Sequence, residues 1–358
     1  MNFIKKYSMM MLLLSGAITI VSCSNEDEEF KADNGNNKVT IIASNPAYES
    51  DTRTLLDENE QPLWSGEDKI KVYANAFPNE AFEFYSIGRV AAKNASFVLS
   101  NSQEEEWINT FDAPQTEFYA LVHSPRATRY QKDTDEIVIR HGIAEEPSVD
   151  VMDEAQGPKH QLLTLGNITS DADLMVGEKL IKSEMDPNSA SFKVRFKRLT
   201  GIMKIHLEDN TTAKELEGYK ATDGWISVGT DPYGKVEPEL YKTNNFGGIA
   251  RIALTGDNAY QMTKERCTGL QFRPLVGKDY FYDYNGNGNE KNMYISVLPT
   301  KLNAGDKFTF ILGNGQGKII YKVITLNAPM DIKACHIHDI TITINDGDVT
   351  NENPFPAN

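Results

Sequence analysis

Ser22-Cys23 is the place in this chain where residue type and spacing point most directly to a covalent reaction. Lys5 and Lys6 form a short basic start, and Met9 to Val21 an apolar run. That run is too short to cross a hydrocarbon layer of roughly 30 Å as a stable helix, so it reads as an export signal. It ends in Ile20-Val21-Ser22, a small residue directly before Cys23. This is the pattern of a lipobox, in which the thiol is acylated (a palmitate-bearing anchor) and the bond before it is cut. The expectation is a signal peptide over 1–22 and a lipid on Cys23. The competing reading is a plain signal peptide, or an anchor helix, that happens to contain a cysteine.

Other constellations are weaker. Gly313-Asn314-Gly315-Gln316-Gly317-Lys318 has the composition of a phosphate-binding loop. Such loops need a helix N-terminus behind them to align their N–H groups, and here a strand-like run follows, so a hairpin turn is the better reading. Asp283, Asn285 and Asn287, followed by Gly288, match the front of a calcium loop, since alternate oxygen ligands suit a hard cation. The carboxylate expected at the twelfth position is missing, because Tyr294 stands there. An asparagine-rich surface loop fits better, and no metal is expected. His336 and His338 fall on one face of a strand and could begin a zinc site, but no third ligand is identifiable. Cys267 and Cys335, the thiols left after Cys23, are either a disulfide or two separate buried thiols. No Gly-x-Ser-x-Gly or His-Glu-x-x-His occurs, and nothing singles out a carboxylate pair for glycoside hydrolysis. The chain is therefore read as a non-enzyme with no cofactor. Trp107, Trp225 and the Tyr280-Phe281-Tyr282-Tyr284 cluster could stack on sugars, or fill a core.

The 358 residues carry a formal net charge of −15, which argues against nucleic acid and against electrostatic docking on anionic lipid. No later apolar stretch approaches about twenty residues, so lipid is the expected attachment to the membrane. Without its signal the chain amounts to roughly two domains of ~150 residues.

The elements that must carry these residues are strands. After residue 38, short alternating runs are broken by Gly, Pro, Asn and Asp. Val39-Thr40-Ile41-Ile42-Ala43 is the first, followed by Lys69 to Ala74, Glu136 to Arg140, Phe192 to Phe196 and Gly201 to Leu207. Lys307 to Leu312 and Lys318 to Leu326, joined by the glycine-rich turn, read as a hairpin, and Asp339 to Ile344 is the last strand. One short helix is expected over Gln103 to Asn109. The fold class expected is all-β, with antiparallel sheets packed as sandwiches. The domain divisions expected are an acidic flexible linker over 23–38, a first β-sandwich over 39–185, a second over 186–345 and a flexible tail over 346–358. The seam lies in the polar, turn-rich segment Glu184 to Ser189.

Taken together, several segments resemble the fimbrillin family of Bacteroides-type bacteria. Asp51-Thr52-Arg53-Thr54 and then Leu63-Trp64-Ser65-Gly66-Glu67-Asp68-Lys69-Ile70-Lys71-Val72 are similar to that family's opening. Asp173-Leu174-Met175, Phe196-Lys197-Arg198-Leu199, and Leu298-Pro299 with Gly305-Asp306-Lys307-Phe308 follow in the family's order, although Lys197 stands where histidine is common. The acidic run Ser24 to Glu29 resembles the sorting signals behind the lipidated cysteine of surface lipoproteins in the same bacteria. The resemblance implies two transthyretin-like β-sandwiches in tandem, an outer-membrane surface location and, after processing, a fimbria or pilus. It implies that an arginine-specific protease cuts between Arg53 and Thr54. The first strand, Val39 to Ala43, then leaves, and a strand from another subunit fills the gap. Partners would be other fimbrial subunits and a host or bacterial surface protein or glycan, the latter engaged by a tip adhesin. The tail after Ile344 is short and polar for a donor strand, which implies a subunit that accepts without donating. A monomeric, lipidated glycan-binding protein is the rival from another class.

Overall fold

Alternation of β-branched and aromatic residues with polar ones leaves one face of each run apolar, and sheets are the way to bury it. A computed structural model describes residues 39–44, 64, 68–74, 77–87, 94–103, 107, 116–122, 128–131, 136–141, 161–166, 174–181, 191–230, 244–254 and 261–351. The chain is all-β. Its first strands are β1 Thr40–Ser44, β2 Lys69–Ala74, β3 Phe77–Ser86, β4 Asn94–Leu99, β5 Glu117–Val122, β6 Thr128–Gln131, β7 Glu136–His141, β8 Gln161–Leu163, β9 Met175–Gly177, β10 Leu180–Ile181 and β11 Ser191–Arg198. Then come β12 Gly201–Asp209, β13 Lys220–Ala221, β14 Asp223–Val228, β15 Gly247–Ala253, β16 Met262–Thr268, β17 Leu270–Pro274, β18 Tyr282–Asp283 and β19 Asn292–Val297. The last are β20 Thr300–Leu302, β21 Lys307–Gly313, β22 Ile319–Thr325, β23 Met330–Ile332, β24 Ile337–Ile344 and β25 Val349–Thr350.

The largest sheet runs β10-β5-β2-β3-β4-β1-β11-β9, and β5 also pairs with β9. Seven of its strands therefore form a closed hydrogen-bonded ring. Ring closure removes the sheet edges that would otherwise invite pairing with other chains. Inside sit Ile70, Val72, Phe82, Phe84, Phe97, Phe118, Val194 and Phe196. Trp107 fills the centre, stacked on Phe118 at 5.0 Å and edge-on to Phe82 at 5.0 Å. Outward-facing Tyr73, Tyr119, Leu121 and Val176 pack against Ile137, Ile139, Ala250 and Ile252 of a four-stranded sheet, β16-β15-β7-β6.

A β-sandwich occupies the later part of the chain. Its faces are the six-stranded sheet β25-β22-β21-β14-β17-β8 and the three-stranded sheet β19-β12-β24. Met203, Ile205 and Ile295 meet Ile226, Phe272, Phe308 and Phe310 in its core. The hairpin expected at Gly313–Gly317 is present: β21 and β22 pair antiparallel across it. Asn314 Oδ1 accepts from the N–H groups of Gln316 (2.9 Å) and Lys318 (3.0 Å), while Gly315 and Gly317 take positive φ.

The sheets are not purely antiparallel, as the sequence had suggested. β1–β11, β12–β24 and β8–β17 run parallel. Alternation reports which face is buried and is blind to strand direction; parallel neighbours need a long crossover, which all three pairs have. The segment expected as the domain seam lies outside the described residues. β11, just after it, belongs to the ring, and β7 pairs with β15 through Ile139 and Ala250. Residues 346–351, placed by sequence in a flexible tail, include β25, which pairs with Ile319 and Ile320; Lys322 binds Asp348 beside it. The expected helix over Gln103 to Asn109 lies mostly outside the described residues, with a 3-10 turn at Asn101–Gln103.

A Cβ on Gly224 would stand 2.1 Å from Phe272 Cε2 and 2.8 Å from Leu312 Cδ2. Gly224→Ala is expected to destabilise the protein by about 1–3 kcal/mol through overpacking, read as a lower urea midpoint at unchanged slope.

Candidate strand-exchange site

β1 lies inside the ring, antiparallel to β4 on one side and parallel to β11 on the other, with five residues in register on each side. Its sequence explains its place: inward Ile41 and Ala43 are fully buried, and Ile42 on the opposite face is half-buried. Ile41 stands opposite Phe97 of β4 and Phe192 of β11, forming a rung of large side chains. Ala43 stands opposite Ala95 and Val194, a rung of small ones. Val39 closes the first end, where its carbonyl accepts from the Leu99 N–H at 3.1 Å. Trp64, from the segment that resembles the family opening, lies edge-on to Phe97 at 5.0 Å and to Phe196 at 5.8 Å, and is itself buried.

Withdrawing β1 would uncover the inner edges of β4 and β11 together with an apolar floor. Rows of unpaired N–H and C=O groups over such a floor form a receptor for an extended segment. Sequence reasoning singled out Val39 to Ala43 and missed both neighbours. β11 had been assigned to the second sandwich, and only the matched sizes of Phe97 with Phe192 and of Ala95 with Val194 could have hinted at the pairing.

The other sequence candidates fall elsewhere. Cys23, Arg53 and Thr54 lie outside the described residues, as does the Cys267 side chain. Cys335 is half-buried in a turn at φ +65°, where its N–H donates to the Thr200 carbonyl at 2.9 Å. In the calcium-like loop, Asp283 Oδ1 accepts from the Asn285 N–H at 3.0 Å and Oδ2 pairs with Lys220 at 3.2 Å. Asn285 Oδ1 accepts from the Gly218 N–H at 2.6 Å, so Asn285 braces the turn before β13 while Asp283 braces its own loop and Lys220 of β13. Among the described residues no three His, Cys, Asp or Glu side chains converge as a metal-ligand set. Trp107, Trp225, Phe281 and Tyr282 are buried and present no face to a sugar, whereas Tyr280 and Tyr284 are half-buried and Lys220 Nζ lies 4.2 Å over the Tyr280 ring. His336 and His338 lie with ring centroids 6.1 Å apart; His338 Nε2 accepts from the Lys333 N–H at 3.0 Å. Burial, then the neighbouring His336, holds the His338 imidazole below its ordinary pKa.

No family profile matches the chain, and no curated protein does. Among solved structures it is similar to a proposed cell adhesion protein from Bacteroides uniformis, at 16% identity over 88% of this chain and 96% of that one, with a TM-score of 0.41. It is similar to a fimbrial protein from Bacteroides ovatus, at 10% identity over 90% of this chain and 55% of that one, TM-score 0.33. A fimbrial assembly protein from Parabacteroides distasonis matches at 10% identity over 87% and 92%, TM-score 0.30. The likeness is to adhesion and fimbrial proteins of Bacteroides-type bacteria.

Two outcomes are expected. Ile41→Ala should cost about 2–5 kcal/mol of unfolding free energy, while Ile42→Ala should cost much less, both by denaturant titration. His338, with its pKa lowered in the fold, contributes stability that is fully present above the unfolded value of about 6.5 and is lost as pH falls toward the folded value. Wild type should therefore lose stability below about pH 6.5 relative to His338→Gln, measured as the difference between the two pH profiles.

Proposed function

We propose that this chain is a fimbrial subunit of the bacterial surface, exported as a lipoprotein on Cys23 and assembled by strand exchange at the β1 slot. The single observation that carries the reading is the position of β1. A removable first strand, suggested by the family resemblance, is useful only if its loss opens a sheet on both sides, and β1 sits between two full-length neighbours. Cleavage between Arg53 and Thr54 separates β1 from β2 and everything after it, so the strand is thereafter held by noncovalent contacts alone.

In this reading the lipobox delivers the precursor to the outer membrane, and the acidic residues behind Cys23 send it to the surface. Processing there releases the lipid and the first strand together. A strand from a neighbouring subunit enters the slot, trading one set of main-chain bonds for another. The chain accepts a strand and holds Val349–Thr350, from the segment after Ile344, in β25 of the sandwich rather than free to donate, which favours a tip or accessory subunit that contacts a surface protein or glycan. The rival, a monomeric glycan-binding lipoprotein, is weakened by the burial of Trp107 and Trp225.

The test is the N-terminus of the protein recovered from native cells. The expected product is an unlipidated chain beginning at Thr54 in high-mass assemblies. Arg53→Ala should leave lipidated Cys23 as the N-terminus and reduce those assemblies to monomer. Assemblies that persist undiminished in Arg53→Ala, with the first strand still attached, would overturn the reading.

A further inference from the structure

Main-chain hydrogen bonds hold any extended peptide and do not distinguish sequences. Discrimination has to come from the side chains that point into the slot. There the two walls are stepped. At the Ile41 position the flanking residues are Phe97 and Phe192, and at the Ala43 position they are Ala95 and Val194.

The β11 wall of the small rung cannot give way. Val194 is buried and wedged against β9, where a Cβ on Gly177 would stand 2.6 Å from Val194 Cγ1 and 2.9 Å from the Ala120 Cβ. The ring has already given up a side chain at Gly177 to admit Val194. A residue larger than alanine at the Ala43 position would have to displace Val194 toward that contact. The large rung is the reverse case. Phe192 stacks on Trp107 at 6.0 Å, and Trp64 leans on Phe97, so a small residue in place of Ile41 leaves a void among four aromatic rings.

We infer that the β1 slot selects its incoming strand by this step. The partner segment carries a large aliphatic residue followed, two positions later, by alanine or glycine, and it runs in the direction of β1, parallel to β11 and antiparallel to β4. This specificity rests on the strand-exchange reading. A strand entering in the opposite direction would bring its small residue to the large rung and its large residue to Val194, so composition and direction are selected together.

The test uses the full chain with an engineered protease site after Arg53, cut while folded so that the first strand is held only noncovalently. Fluorescent peptides of the 39–44 sequence are offered in excess: the native order, the Ile41→Ala/Ala43→Ile exchange, and Ala43→Ile alone. Incorporation is read by gel filtration. The native order is expected to enter at least about tenfold better than the other two, and Val194→Ala in the protein should raise entry of the Ala43→Ile peptide about tenfold. Equal entry of all three, or preference for the exchanged order, overturns the step while leaving strand exchange intact. Failure of every peptide, the native order included, overturns strand exchange itself and the step with it.

Discussion

The ring of strands depends on one short element being paired on both sides. β1 supplies five residues between β4 and β11, and closure at the far side is made by β9, only three residues long, between β11 and β5. A closed ring has no edge to protect, whereas the same ring without β1 has two edges facing each other across a width of one strand. In the proposed assembly, stability and the capacity to take up a partner strand would draw on the same hydrogen bonds. In that assembly a precursor with β1 in place is self-complete, and a chain without it would be complete only with a partner.

Removal of β1 is also local in its consequences for packing. Ile41 and Ala43 belong to the core inside the ring. Neither contributes to the core between the ring and the four-stranded sheet, or to the core of the sandwich. Trp64 and Trp107 belong to the interior core and would stay with the chain after the proposed cut, since both follow Arg53. The proposed slot would keep its aromatic floor while losing its central strand, as a receptor that must stay shaped until it is filled requires. The sandwich has its own core and a parallel β12–β24 pair joined in register over eight residues, and neither includes β1.

Much of this was legible in the residues. Alternation located β1, β2, β7, β11, β12 and β24 within a residue or so at most ends, and Asn314 with its glycines marked the β21–β22 hairpin. Strand direction was not legible: Ile41 and Val194 are far apart in sequence, and nothing in a run such as Phe192 to Phe196 says which neighbour it will take. The aromatics misled for a related reason. Trp107 and Trp225 have the composition of a sugar platform, and only packing reveals that one fills the ring and the other is buried in a sheet. The calcium-like loop shows the same ambiguity, because Asp283 and Asn285 are as well suited to holding turn N–H groups as to holding a cation.

The central claim, that β1 is the replaceable strand of an otherwise persistent ring, is tested most directly by hydrogen exchange on the β4 and β11 segments. It would be measured in three forms: the intact chain, the folded chain cut after Arg53 and freed of its first segment, and native assemblies. The account predicts that amides of 94–99 and 191–198 lose protection when β1 leaves and regain it on assembly, while β12 and β24 stay protected throughout. Unchanged protection in β4 and β11 after β1 is removed, or loss that spreads equally through the sandwich, would contradict it.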